Sequence, residues 1–96
     1  MNIVTKLTDN LVKVQGSIES SNAVQFEQEL IAAISGDQLT IDAQELAYIS
    51  SAGLRVILKA QKAMARRGEM RLVGVNESVM EVFEITGFCD ILTIEK

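Results

Sequence analysis

The stretch LTIDAQELAYISSAGLRVIL, residues 39–58, contains the features that decide the fold. Residues 39–41 are typical of a short interior strand, and residues 42–49 are predicted to form a loop that leads to a pair of serines. Apolar residues at helical spacing follow the serines. Ser50 and Ser51 therefore lie at a helix N-terminus, where free N–H groups and the helix dipole favour added negative charge. Such a position suits reversible phosphorylation.

The composition is that of a folded chain and predicts one domain, residues 1–96. Hydrophobic residues make up 48% of the 96 positions and charged residues 23%, which argues against disorder. The net charge of −4 removes the general attraction to phosphate backbones on which nucleic-acid binding depends. We therefore expect no direct nucleic-acid partner.

Several kinds of site are excluded by residues that the chain lacks. Histidine is absent, and Cys89 is the single cysteine. No intramolecular disulfide can form, no zinc-binding set of cysteines and histidines exists, and a nucleophilic serine would lack its usual activator. We expect no enzymatic activity, no metal and no cofactor. With neither a signal sequence nor a long apolar run, the chain is expected to be cytoplasmic and not to insert into a membrane.

The rest of the sequence predicts alternating strands and helices. Residues 1–8 and 11–15 are expected to form a hairpin, and Asn22 with Gln25 is placed like a capping box at the start of a first helix. The helix that begins at the serines is expected to end at Gly68, in the left-handed conformation that glycine favours. After a further strand, Ser78 with Glu81 is expected to cap a third helix, and a last short strand follows. Alternation of this kind implies a partly parallel sheet, which the opening hairpin makes mixed.

These elements match a known family. The segment Tyr48-Ile49-Ser50-Ser51-Ala52-Gly53-Leu54, with Asp42 and Leu46 before it, resembles the STAS domain of bacterial anti-sigma factor antagonists. The resemblance covers essentially the whole chain. It implies an α/β STAS fold: a mixed four- to five-stranded sheet with about three to four helices packed mainly on one face.

The resemblance also implies a function. Family members of this size bind, when unphosphorylated, an anti-sigma factor that is also a serine kinase, and they lose affinity once phosphorylated. The phosphorylated serine of the family falls on Ser51, with Ser50 as the less favoured acceptor. The family commonly has an acidic residue before that serine and a hydroxyl residue after it, whereas this chain has Ser50 and Ala52. Such a protein is expected to be a monomer or a weak dimer.

Further residues are predicted to contact the partner. Gly53 lies just inside the helix start, where glycine is costly unless a partner or a neighbouring element approaches the backbone closely. Glu19 and Ser20 are expected on the same side, facing a partner or a nucleotide. Asp42 resembles the position of acidic residues that flank the switch serine in the family, or is a loop-capping carboxylate.

A basic stripe follows the serines on the same helix. Arg55, Lys59, Lys62 and Arg66 fall at spacings of four, three and four, so they share one helix face. The stripe is either a solvated face or a docking surface for an acidic partner patch, with weak binding to anionic lipid or nucleic acid as a lesser option. Arg55 and Lys59 are the members nearest the serines.

Two other functions are alternatives to a phosphorylation switch. The first is a non-catalytic scaffold, like the cytosolic STAS subunit of some ABC-type lipid transport systems, in which binding would persist without phosphorylation. The second is a serine or nucleotide hydrolase. The chain contains neither the Gly-x-Ser-x-Gly nor the Gly-x-x-x-x-Gly-Lys-Ser/Thr pattern, so it lacks both the usual nucleophile turn and the phosphate-binding loop.

Overall fold

Alternating hydrophobicity and helical periodicity produce five strands and three α-helices in the computed structural model, which describes residues 2–95. In chain order they are β1 (Val4–Thr8), β2 (Leu11–Ile18), α1 (Ala23–Ala33), β3 (Gln38–Ile49), α2 (Ser51–Ala65), β4 (Glu69–Val73), α3 (Glu77–Ile85) and β5 (Thr93–Glu95). A short 3₁₀ turn, Phe88–Asp90, precedes β5. Met1, the first residue of the predicted hairpin, and Lys96, the last residue of the predicted domain, lie outside the described residues.

All five strands form one sheet in the order β1-β2-β3-β4-β5. The hairpin partners β1 and β2 are antiparallel, and the remaining neighbours are parallel. Each parallel pair is joined by a helix, and right-handed crossovers that all step in one direction place the helices on the same face. The predicted mixed sheet with helices mainly on one face is therefore confirmed.

The core lies between the sheet and the helices. Along β4 and the first half of β3, buried residues alternate with half-buried or exposed ones, which is the period of two expected for a sheet covered on one face. The largest fully buried side chains include Ile18, Phe26, Leu30, Ile41, Ile57, Met64, Leu72 and Phe83. No charged or polar residue is buried among residues 2–95.

The loop predicted for residues 42–49 is wrong, because this segment continues β3 to Ile49. Pairing with β2 shifts register twice, between Lys13 and Gln15 and between Gly16 and Ser17. Each shift adds a residue to β3, so the buried positions are Ala43, Leu46 and Ile49, spaced by three. Because of the bulges, the second half of β3 lacks the alternation of apolar and polar residues by which a strand is recognised in a sequence.

The capping box predicted at α1 is also wrong. Asn22 does precede the helix, but its side chain makes no bond to a helix N–H. Its Oδ1 instead accepts from the Glu19 amide at 2.7 Å, and its Nδ2 donates to the Ser17 carbonyl at 2.9 Å. Asn22 thus stabilises the turn between β2 and α1, and the Gln25 side chain donates to Glu29 at 2.7 Å.

The third helix begins earlier than predicted, because Asn76 and not Ser78 caps it. Asn76 Oδ1 accepts from the Val79 amide at 2.8 Å, and Asn76 Nδ2 donates to the Leu46 carbonyl at 2.9 Å. One side chain therefore caps α3 and also satisfies a carbonyl in the part of β3 that lies beyond its pairing with β4. Glu81 is exposed and takes no part in the cap.

The glycine that ends α2 has a different role from the one predicted. Gly68 is not among the residues with positive φ. A Cβ at this position would collide with the backbone carbonyl of Asp37, which precedes β3. The Gly68 amide donates to the Met64 carbonyl at 2.7 Å. Gly68 is therefore explained by close packing of two chain segments and not by a left-handed helix end.

Glu29 of α1 fastens the beginning of the chain to the domain. Its Oε1 accepts from the Ile3 and Val4 amides, each at 2.8 Å. The Val4 hydrogen bond is the main cause that holds the pKa of the Glu29 carboxyl below its usual range, and burial opposes it. The start of β1, an edge strand, is therefore tied to a helix by an ionised side chain.

Candidate functional site

The ends of two neighbouring parallel strands place the serine pair beside the turn that precedes α1. Ile18, the last residue of β2, pairs with Ile49, the last residue of β3, and the Ser50 amide donates to the Ile18 carbonyl at 2.8 Å. Since α1 and α2 follow these strands, both helices begin at this edge of the sheet. We call the edge formed by residues 17–24 and 48–55 the switch edge.

The two serines at the switch edge have different structural roles. Ser50 is the N-cap of α2, with extended φ and ψ of −87° and 173°, and its Oγ accepts from the Gly53 amide at 3.3 Å. Ser51 is the first helical residue; it is exposed, and its hydroxyl has no hydrogen-bond partner among residues 2–95. The capping function that both serines could have served thus belongs to Ser50, and the exposed Ser51 has no capping role.

Gly53 is required by its neighbours within the chain. A Cβ at this position would lie 2.7 Å from Ile18 Cγ2 and 2.7 Å from Ile49 Cγ1, closer than real side-chain contacts allow. Gly53 is buried. Of the two explanations left open by the sequence, approach of a neighbouring element is thus sufficient, because this glycine lets the first turn of α2 rest on the ends of β2 and β3.

Glu19 and Ser20 lie at the switch edge, as expected for residues near the serines. Both are exposed, in the turn that follows β2. The Asn22 side chain fixes the backbone of this turn through its bonds to Glu19 and Ser17. The backbone of Glu19 is therefore held in the turn that follows β2, and its side chain is exposed.

Asp42 is not brought to the serines. It lies within β3 opposite Lys13, five residues before the Ile18–Ile49 pair along β2, or about 16 Å away at roughly 3.3 Å per residue. Its Oδ1 accepts from the Gln44 amide at 3.0 Å. This geometry matches the local capping interpretation, with Asp42 stabilising the first bulge of β3.

The basic stripe is divided by an ion pair. Lys59 Nζ lies 3.0 Å from Glu27 Oε1 and so links α2 to α1. Arg55, Lys62 and Arg66 are exposed and form no ion pair among the described residues. The stripe thus has three cations without an ion pair among the described residues, and Arg55 is the one that belongs to the switch edge.

Two exposed apolar side chains at the switch edge were not predicted from the sequence. Tyr48 is 49% exposed, two residues before the N-cap, and Val24 is 70% exposed in the first turn of α1. For Tyr48, the position in the sequence indicates exposure. It precedes the buried Ile49 in a strand, so its side chain points to the opposite face of the sheet. Aromatic side chains such as Tyr48 are enriched in protein–protein interfaces relative to the rest of the surface.

Two searches of residues 2–95 concern other classes of site. No helix there has both the length and the apolar character needed to cross a bilayer. In the same range, no three acidic or cysteine side chains gather so that they could hold a metal ion.

Sequence comparisons place these features in a family. The sequence model of the STAS domain matches residues 2–96. The Bordetella bronchiseptica protein BtrV, provisionally named an anti-sigma factor antagonist, is 42% identical over 84 residues, which cover 84% of this chain and 72% of BtrV. The anti-sigma-B factor antagonist of Listeria monocytogenes is 34% identical over 92 residues, which cover 92% of this chain and 81% of that protein.

Solved structures show the same fold. An anti-sigma factor antagonist from Mycobacterium paratuberculosis matches with a TM-score of 0.82 at 18% identity, over 99% of this chain and 84% of that one. The antagonist SpoIIAA in its unphosphorylated form matches with a TM-score of 0.73 at 15% identity, over 97% of this chain and 86% of that one. From the family match and the identity to these relatives, it follows that the chain belongs to the STAS domain family.

Proposed function

We propose that this chain is an anti-sigma factor antagonist, a non-enzymatic cytoplasmic protein that binds an anti-sigma factor through the switch edge and is released by phosphorylation of Ser51. The observation that carries the proposal is the contrast between the two serines: Ser50 caps α2, and Ser51 is exposed without a partner among residues 2–95. Relatives named anti-sigma factor antagonists support the choice of partner class.

The partner supplies the chemistry of the switch. A serine kinase activity of the anti-sigma factor transfers the terminal phosphoryl group of a nucleoside triphosphate to Ser51 Oγ. A P–O bond to the serine forms, the P–O bond to the nucleoside diphosphate breaks, and a base of the kinase takes the hydroxyl proton. This chain acts as the substrate and needs no catalytic residue or cofactor of its own.

The phosphate changes binding more than folding. It adds about −1.5 to −2 charge at pH 7, which the N-terminus of α2 accommodates because the helix dipole is positive there. Tyr48 and Val24 of this chain are exposed at the same edge. A partner surface that fits a neutral hydroxyl at Ser51 would meet the added charge during docking. We therefore expect phosphorylation to weaken the complex while the domain stays folded.

The residues proposed to contact the partner are those at the switch edge and the adjoining turn of α2. They are Glu19, Ser20, Ser50, Ser51, Ala52, Gly53 and Arg55, with Lys59 at the margin. Gly53 contributes through the position of the α2 backbone, since it is buried. Asp42 is left out of this surface because it precedes the first bulge of β3, whereas the serines follow the end of that strand.

The test combines the purified chain, a kinase-type anti-sigma factor and ATP. Mass spectrometry should show one added phosphate on the unmodified chain and on Ser50→Ala, and none on Ser51→Ala. Ser51→Ala should still bind the anti-sigma factor, and Ser51→Asp should bind more weakly. Phosphate on Ser51→Ala but not on Ser50→Ala would overturn the site assignment. Co-purification of an ABC-type ATPase without an anti-sigma factor would favour the scaffold function instead.

A further inference from the structure

Arg55 lies one helical turn after Ser51 on the same face of α2. The two residues are four apart within the helix, so their Cβ atoms are neighbours at about 6 Å. Both side chains are exposed, and neither has a hydrogen bond or ion pair within residues 2–95. An unpaired guanidinium therefore lies within reach of whatever group the Ser51 hydroxyl carries.

No carboxylate on α2 competes for this arginine. Between residues 51 and 67 the sequence contains Arg55, Lys59, Lys62, Arg66 and Arg67 and no aspartate or glutamate. The acidic residue of α1 that reaches toward α2, Glu27, is already bound to Lys59 at 3.0 Å. Arg55 consequently has no anionic partner among residues 2–95 of the unphosphorylated chain.

We propose that Arg55 binds the phosphate of phosphorylated Ser51, forming an intrahelical clamp. This inference rests on the proposed function, because it requires a phosphate at Ser51. An anion followed four residues later by a cation is the favourable order for such a pair in a helix. The planar guanidinium can also present two parallel N–H groups to two phosphate oxygens, a fixed geometry that the ammonium of a lysine lacks.

The clamp gives phosphorylation two effects at the switch edge. It adds negative charge at Ser51, and it draws Arg55 away from a partner surface that contacts this cation in the unphosphorylated state. Lys62 and Arg66 lie about three and about four turns from Ser51 and so remain available at the far end of the helix. The modified protein would then present a neutralised first turn of α2 followed by the same distal cations.

The test installs phosphoserine at position 51 of the full chain by genetic encoding, so that no kinase is needed. The ³¹P NMR signal of the phosphate is followed against pH in the wild type, in Arg55→Gln and in the matched control Lys62→Gln. Pairing with Arg55 favours the dianion, so the titration midpoint should lie lower in the wild type than in Arg55→Gln by roughly 0.3 pH unit. Lys62→Gln should match the wild type.

Glu19 at the switch edge and the Lys59–Glu27 pair are unchanged in all three proteins, as is the N-terminus of α2, so the comparison isolates Arg55. Equal midpoints in the wild type and Arg55→Gln would overturn the clamp, as would equal shifts in Arg55→Gln and Lys62→Gln, which would indicate only the general field of the stripe. In ¹⁵N spectra the Arg55 Nε–H signal should move on phosphorylation, and an unmoved signal would also count against the clamp. A kinase that fails to modify Ser51 would contradict the proposed function and leave these results unaffected.

Discussion

Ser50 Oγ accepts a hydrogen bond from the Gly53 amide at 3.3 Å, and this bond joins the two residues on which the start of α2 depends. Ser50 satisfies a free N–H of the first turn, and Gly53 allows that turn to lie against Ile18 and Ile49. The hydrogen bond engages the first serine of the pair, whereas the neighbouring Ser51 hydroxyl has no hydrogen-bond partner within residues 2–95.

The cap at Ser50 should be measurable as stability. Ser50→Ala removes the acceptor for the Gly53 amide and should lower the free energy of unfolding by about 1 kcal/mol. Ser50→Asp keeps an acceptor and should stay near the wild-type value. Ser51→Ala should change stability by less than about 0.5 kcal/mol, since the Ser51 hydroxyl makes no hydrogen bond within residues 2–95. Urea denaturation followed by circular dichroism tests the order, and an equal loss in both alanine variants would contradict it.

Gly53→Ala should destabilise the domain even though alanine is the better helix former. Overpacking against Ile18 and Ile49 costs about 1–3 kcal/mol, whereas the gain in helix propensity is about 1 kcal/mol. We expect a net loss of roughly 1 kcal/mol in urea denaturation. The double variant Gly53→Ala/Ile49→Ala should be less destabilised than the sum of its single variants, because truncating Ile49 makes room for the new methyl group. Strict additivity would show that the two sites are not in contact.

Asn76 should contribute through both ends of its amide. Asn76→Ala removes the α3 cap and leaves the Leu46 carbonyl without its donor, so the free energy of unfolding should fall by about 2 kcal/mol. Asn76→Asp retains an acceptor for the Val79 amide but loses the donor, and we expect a loss of roughly 1 kcal/mol. Thermal denaturation separates these variants. Wild-type stability for Asn76→Ala would mean that neither bond matters in solution.

The Glu29 carboxyl should make stability depend on acid pH. Its folded pKa lies below the unfolded value of about 4.5, so its contribution is complete above that pH and is lost as the pH falls through the lower folded pKa. Glu29→Gln should cost roughly 0.5–1 kcal/mol at pH 7, because a neutral amide accepts more weakly from the Ile3 and Val4 amides. The difference between the two proteins should shrink on acidification, in urea titrations from pH 7 to below 4. A constant difference would contradict the assignment.

The order and type of the elements could be predicted from the sequence because apolar periodicity and glycine positions report on local structure. The second half of β3 could not, because its two bulges replace the period of two with a period of three. The caps of α1 and α3 were also misassigned, because the Asn22 side chain bonds within the preceding turn and Asn76 caps α3 in place of Ser78. Which polar side chain caps a helix depends on local and tertiary contacts that residue spacing does not encode.

The candidate site was predicted in part. The serine pair, Glu19 and Ser20 do meet at one edge, since the ends of adjacent parallel strands are neighbours. The sequence alone could not decide which serine is the cap, because both stand before the same helix and both have a hydroxyl. The sequence also predicted that Asp42 lies with the serines. The two are separated because residues 42–49, predicted to be a loop, continue β3.

The strand order β1-β2-β3-β4-β5 has a consequence for how the protein is made. Each strand pairs with the strand that was synthesised just before it, so none must be inserted between two that are already in place. A chain leaving the ribosome can start from the local contacts of the N-terminal hairpin and lengthen the sheet at one growing edge. Biosynthesis and assembly can thus proceed in the same direction, with β5 as the last strand added to the sheet.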